Sequence, residues 1–119
     1  MTERFLINAT HGIDDPDRAT IALVMANAAL TLGKEAVLLL VSEGARLGVG
    51  EVVDAIHESG FPSLRELLEQ YLESGGQVWA CSPCVVKRGL EKDMDPRITL
   101  TGAVAALAWV AENGTSLSF

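Results

Sequence analysis

The chain has 119 residues, 49% hydrophobic and 21% charged, with a formal charge of −7. That length fits one domain over residues 1–119, the apolar share excludes a disordered chain, and the acidic balance argues against a nucleic-acid partner. No stretch approaches the ~20 apolar residues of a membrane helix. The start Met1-Thr2-Glu3-Arg4 lacks the regions of a secretory signal, so the expected location is cytoplasmic, away from any membrane.

Arg4–Ala9 reads as a strand, because Phe5-Leu6-Ile7 is a short apolar run ahead of a polar loop. In residues 10–16, Asp15 is placed to cap a helix and Pro16 suits its first position, where a missing N–H costs nothing. Residues 17 to about 32 predict a helix ended by Gly33. Almost every position from Ile21 to Leu32 is apolar, so this helix is expected to be buried on more than one side. Residues 35–41 hold an unalternating apolar run, Ala36-Val37-Leu38-Leu39-Leu40-Val41, the pattern of a central strand covered on both faces.

Residues 42–50 form a glycine-rich loop, and residues 51–58 add a helical turn or two with Val52, Val53 and Ile56 as its stripe. After the breaker Gly60-Phe61-Pro62, Ser63 with Glu66 makes a capping box for a helix along Leu64, Leu67, Leu68, Tyr71 and Leu72. Gly75-Gly76 ends it, and residues 77–80 are a third strand. Ser82 as cap with Pro83 next predicts a short helix to about Leu90. A polar loop over residues 92–97, a short strand at 98–100, an Ala-rich helix to Glu112 and a strand over 115–119 follow. This alternation predicts a three-layer α/β/α sandwich around a mostly parallel sheet. Ligands of such folds bind outside the carboxyl ends of the strands. Three loops meet that condition: residues 10–16, residues 42–50 and the one that begins at Cys81.

The two cysteines, Cys81 and Cys84, form one C-x-x-C. In a reducing compartment such a pair is more often catalytic, redox-active or metal-binding than a staple. A sulfur at a helix start, with Lys87 and Arg88 within two turns, is placed to be a thiolate. Cys84, three residues on, is placed to resolve a mixed disulfide or persulfide on Cys81. The plainer alternative is a pair of small buried hydrophobes. Cys81-Ser82-Pro83-Cys84 also resembles the thioredoxin tetrapeptide, with Trp79 upstream, but residues 85–119 are too few for the rest of that fold. A structural zinc site wants four ligands, and His11 and His57 are isolated in sequence, so no metal and no cofactor is expected.

The whole chain resembles the DsrE/DsrF-like family of small sulfur-relay proteins. The residues that carry the likeness are Leu6-Ile7-Asn8-Ala9-Thr10-His11-Gly12 and Asp14-Asp15-Pro16-Asp17-Arg18-Ala19; Ala26-Asn27-Ala28-Ala29 leading into Leu32-Gly33-Lys34-Glu35-Ala36-Val37; the loop Glu43-Gly44-Ala45-Arg46-Leu47; Gly75-Gly76-Gln77-Val78 ahead of Cys81; Lys87-Arg88-Gly89-Leu90 after it; and the end from Gly102-Ala103 to Leu117-Ser118-Phe119. The resemblance implies a five-stranded parallel sheet and assembly as a trimer or hexamer, homomeric or mixed. It implies a sulfane-sulfur carrier whose acceptor cysteine follows the third strand upstream of an Arg-Gly pair. Cys81 fits that place, with Arg88-Gly89 following and Cys84 an addition to the single-cysteine pattern. Its best-understood members serve tRNA thiolation or dissimilatory sulfur oxidation.

The leading expectation is therefore an oligomeric carrier, a sulfurtransferase if it turns over, with sulfur donor and acceptor proteins as partners. A thiol–disulfide oxidoreductase using both cysteines and a non-catalytic oligomer that binds a small ligand or partner are the alternatives. His11 is a candidate acid or base near the sulfur. Glu43, Gly44 and Arg46 are candidate rim residues, and Asp14, Asp15 and Asp17 read as a helix cap. Glu66, Glu69 and Glu73 read as a solvated face, Trp79 and Trp109 as core or interface, and residues 49–56 as a contact surface.

Overall fold

The computed structural model describes residues 3–119. The Met1-Thr2 start, read above for a secretory signal, lies outside the described residues. Among the described residues there are five strands: β1 (Arg4–Ala9), β2 (Glu35–Leu40), β3 (Gln77–Cys81), β4 (Thr99–Thr101) and β5 (Gly114–Ser118). They form one sheet in the order β4-β3-β2-β1-β5, and every neighbouring pair is parallel. Parallel neighbours require a crossover over one face of the sheet, and helices supply it: α1 (Pro16–Thr31), α2 (Gly50–Asp54), α3 (Leu64–Glu73), α4 (Ser82–Lys87) and α5 (Ala103–Ala111).

The sheet separates two cores. On one face, Ala19, Ala22, Leu23, Ala26 and Ala29 of α1 pack with Ile7, Leu38, Leu40 and Val78 and with Leu64, Leu67, Leu68 and Tyr71 of α3. On the other, Ala106, Trp109 and Val110 of α5 cover Leu6, Val37 and Leu39. Alternate residues of β2 thus enter opposite cores, which is why its apolar run does not alternate. Each fully buried leucine contributes about 2 kcal/mol of apolar burial. The small residues of α1 let it approach both sheet and α3. Its one buried amide, Asn27, donates to Leu67 O at 3.0 Å and Leu23 O at 3.1 Å, as a buried polar group must.

The local signals act as expected at most boundaries. Asp15 accepts the Arg18 N–H at 3.1 Å, with Pro16 opening α1. Gly33 takes φ +77° past its end, where Lys34 N–H returns to Ala29 O at 3.1 Å. Ser63 Oγ accepts the Glu66 N–H at 3.2 Å to start α3.

Four expectations need correction. Cys81, not Ser82, caps α4, because β3 runs directly into the helix. α4 ends at Lys87 instead of near Leu90; Gly89 turns left-handed at φ +66° and Leu90 N–H returns to Val85 O at 3.1 Å. The glycine-rich loop is a 3-10 helix over Ser42–Gly48 that leads into α2. Gly44 presses so closely on β1 that a Cβ would collide with the Ala9 carbonyl oxygen. Finally, the apolar patch expected over residues 49–56 is partly core: Val53 and Ile56 are each 2% exposed and belong to the α1-side core, while Glu51, Asp54 and Ala55 are exposed. The exposed apolar side chains instead include Val104 and Leu107 of α5, at 85% and 65%. Among the described residues, no helix is long and apolar enough to cross a membrane.

Candidate functional site

The site forms where β2 and β3 end. Cys81 is the last residue of β3, and Cys84 lies in the first turn of α4. Residues three apart share a helix face, and the two Sγ atoms stand 2.7 Å apart; both thiols are free. β2 delivers the second component. Past its end, beyond Val41, Ser42 adopts φ +54°, a left-handed conformation that few non-glycine residues take. Its backbone N–H points at Cys84 Sγ, 3.4 Å away.

Arginines join these elements. Arg88 Nε donates to Glu43 Oε2 at 2.7 Å, and its Nη1 donates to Cys84 O at 3.2 Å. Arg46 Nε donates to Glu43 Oε1 at 2.8 Å, so one carboxylate is shared by two guanidinium groups. Arg88 is well covered, with 14% of its side chain exposed. An open cavity of about 420 Å³ lies over this junction, lined by Val41, Ser42, Pro83, Cys84, Lys87 and Arg88. Cys84 is the thiol on its wall, and Cys81 lies 2.7 Å from it on the strand side.

The two thiols differ electrostatically. Burial pushes Cys81 up, and its hydrogen bond with Cys84 pushes it further. Burial also opposes ionisation of Cys84, but the Cys81 hydrogen bond, the Ser42 N–H and the Arg88 and Lys87 charges outweigh it, and the net direction is down. Hydrogen bonds from Arg46, then Arg88, hold the Glu43 carboxyl below its usual range. The arrangement suits a nucleophilic sulfur at Cys84 with a protonated thiol at its side.

The structure therefore brings together Cys81, Cys84, Lys87, Arg88, Glu43 and Arg46. His11 is engaged within its own loop, with Nδ1 2.8 Å from Asp14 Oδ2. That loop meets the site's frame through Gly12, where a Cβ would lie 2.7 Å from Glu43 O. Asp14 also accepts the Gly12 N–H at 2.8 Å; Asp15 caps α1. Among the described residues, no three His, Cys, Asp or Glu side chains gather as a metal cluster. Trp79 meets Trp109 edge to face with ring centroids 6.2 Å apart, in the α5-side core. Sequence reasoning missed Ser42, whose contribution is a backbone N–H set by a positive φ; no side-chain pattern signals it.

The sequence model of the DsrE/DsrF-like family matches residues 3–119. An uncharacterised protein of Methanopyrus kandleri is 36% identical over 105 residues, which are 87% of this chain and 83% of that protein. Another, from Methanocaldococcus jannaschii, is 27% identical over 111 residues, 92% of this chain but 40% of that longer protein. Among solved structures, the ychN protein of E. coli matches with a TM-score of 0.79 over 100% of both chains, at 16% identity. A conserved protein of unknown function from Bacteroides thetaiotaomicron matches with a TM-score of 0.71 at 16% identity, over 98% of this chain and 95% of that one. At such identities these structures speak for the fold alone.

Proposed function

We propose that this chain, which belongs to the DsrE/DsrF-like family, carries sulfane sulfur as a cysteine persulfide on its Cys81–Cys84 pair and hands it along a sulfur relay. The observation that carries this reading is the pair itself: two free thiols 2.7 Å apart, beside Arg88, at the carboxyl edge of a parallel sheet. Sulfur transfer needs a thiolate to attack the donor and an environment that tolerates the resulting anion. The Ser42 N–H and the Lys87 and Arg88 charges supply both. The family resemblance assigns the persulfide to Cys81; the short separation makes the pair, more than either sulfur alone, the carrier.

The carrier works as a trimer or hexamer of identical copies, with donor and acceptor proteins as its partners. α5 supports this. Val104 and Leu107 stand exposed on a helix without a charged residue, in a chain of net charge −7. An apolar surface of this kind marks an assembly interface, and a second copy is the occupant whose matching patch is also uncharged.

The test is intact mass and peptide mapping after brief incubation with glutathione persulfide, on wild type and on the single variants Cys81→Ser and Cys84→Ser. A reductant-sensitive gain of one sulfur atom on the remaining thiol of a variant supports the carrier. No gain in any of the three, with thiols that still alkylate, overturns it. The Sγ separation favours one second reading, a thiol–disulfide oxidoreductase. Rapid oxidation of the pair by a plain disulfide, with no uptake of sulfane sulfur, would select that reading.

A further inference from the structure

Cys84, not Cys81, forms the wall of the cavity, together with Lys87, Arg88 and Ser42. Both cysteines are partly exposed, but it is Cys84 Sγ that a donor seated in this cavity meets, where the Ser42 N–H and the basic side chains stabilise the thiolate. Cys81, at the end of β3, lies 2.7 Å from that sulfur. A disulfide bond is ~2.05 Å long, so the two sulfurs need to close by less than an ångström to bond. Arg88 donates to Cys84 O at 3.2 Å and to Glu43 at 2.7 Å, which fixes the first turn of α4 against the Ser42 turn and keeps Cys84 on the cavity wall.

We propose that the pair is a discharge device: Cys84 takes the sulfane sulfur and Cys81 expels it as hydrosulfide, so that a persulfide donor is reduced and an intramolecular disulfide is left. The inference rests on the persulfide uptake proposed above and gives the fate of a sulfur that no acceptor protein takes up. In the first step the Cys84 thiolate attacks the outer sulfur of a donor R–S–SH. The donor's S–S bond breaks, R–S⁻ leaves, and Cys84–S–SH forms. In the second step Cys81 sulfur attacks the inner sulfur, Cys84 Sγ. The Cys81–Cys84 disulfide forms, the persulfide S–S bond breaks, and hydrosulfide leaves; the Cys81 proton is released to hydrosulfide or solvent. The sulfane sulfur gains two electrons, and each cysteine sulfur gives up one. A further turnover needs an external dithiol reductant to reopen the disulfide. The raised Cys81 thiol stays protonated and leaves the donor to Cys84 in the first step; it gives up its proton to attack in the second.

The experiment uses the reduced full-length chain with glutathione persulfide, and reads hydrosulfide released, intact mass and mapped modification. A Cys81→Ser/Cys84→Ser double variant sets the background, and a thermal melt of each variant confirms folding. Wild type is expected to release one equivalent of hydrosulfide per chain and to lose two hydrogens, with no lasting sulfur gain. Cys81→Ser is expected to hold the extra sulfur on Cys84 and to release hydrosulfide only at background. Cys84→Ser is expected to take up sulfur on Cys81 more slowly than Cys81→Ser takes it up on Cys84, because the Ser42 N–H and the cavity wall serve Cys84. A wild type that keeps its extra sulfur without forming the disulfide overturns the discharge while leaving the carrier reading intact. Equal uptake by the two single variants overturns the assignment of Cys84. No uptake by any protein overturns the carrier reading itself.

Discussion

Arg88 and Glu43, forty-five positions apart in the chain, are joined by a 2.7 Å ion pair that ties α4 to the turn following β2. Cys84 and the Ser42 N–H face one another across this tie. Arg88→Met keeps much of the apolar stem and removes the charge. Cys84 is then expected to titrate higher and to react with iodoacetamide at pH 7 about three- to tenfold more slowly. Arg88→Lys restores the charge but not the forked geometry, so it should recover only part of the rate. An unchanged rate in Arg88→Met would show that the guanidinium does not serve the thiol.

The two thiols should separate with pH. The wall thiol Cys84 is lowered and its neighbour Cys81 is raised. As pH rises, mapped alkylation is expected at Cys84 first, with a midpoint below the ordinary thiol value, and at Cys81 only later. In Cys84→Ser the hydrogen bond that helps hold Cys81 up is weakened, so its midpoint should fall. Labelling of Cys81 ahead of Cys84 in wild type would contradict this ordering.

Gly44 links fold to site, since its place against the Ala9 carbonyl leaves no room for a Cβ. Gly44→Ala forces the Ser42–Gly48 turn away from β1. The expected cost is about 1–3 kcal/mol of unfolding free energy in urea melts, as for other overpacked positions. Cys84 reactivity should drop with it, because the Ser42 N–H moves. A variant of wild-type stability and reactivity would mean the turn adjusts freely.

Arg97 binds Glu69 at 2.7 Å and Asp95 at 2.7 Å. Its hydrogen bonds are the main reason both carboxyls lie below their usual values. A carboxyl lowered in the folded state adds stability above its unfolded value, about pH 4, and loses it as pH falls through the folded value. Because Arg97 is 45% exposed, Arg97→Gln should be only about 1 kcal/mol less stable than wild type at pH 7. The difference should shrink below about pH 4. A gap that is constant with pH in urea titrations would exclude this origin.

The apolar surface of α5 gives an assembly prediction. Leu107→Glu, with its side chain 65% exposed in the single chain, should leave the fold intact and reduce the mass seen by sedimentation velocity to one chain. If wild type already sediments as a single chain, α5 is not an interface between copies.

Much of the architecture was legible along the chain because its determinants are local. Asp15-Pro16 and Gly33 bound α1, Ser63 starts α3, and the apolar run through Leu38 and Leu40 marks a strand covered on both faces. The C-x-x-C, Lys87 and Arg88 were visible as one short stretch, and the resemblance covered the rest of the family pattern. Other features depend on residues far apart in sequence, and no local pattern encodes them. Tertiary structure alone decided that Glu43 meets Arg88, that β1 lies between β2 and β5, and that Val53 and Ile56 are core while Val104 and Leu107 are exposed. It also decided which sulfur lines the cavity: that depends on a left-handed Ser42 placed by the end of β2. A residue's type and spacing set what its side chain is able to do, but only the crossing of separate strands and helices sets what it faces.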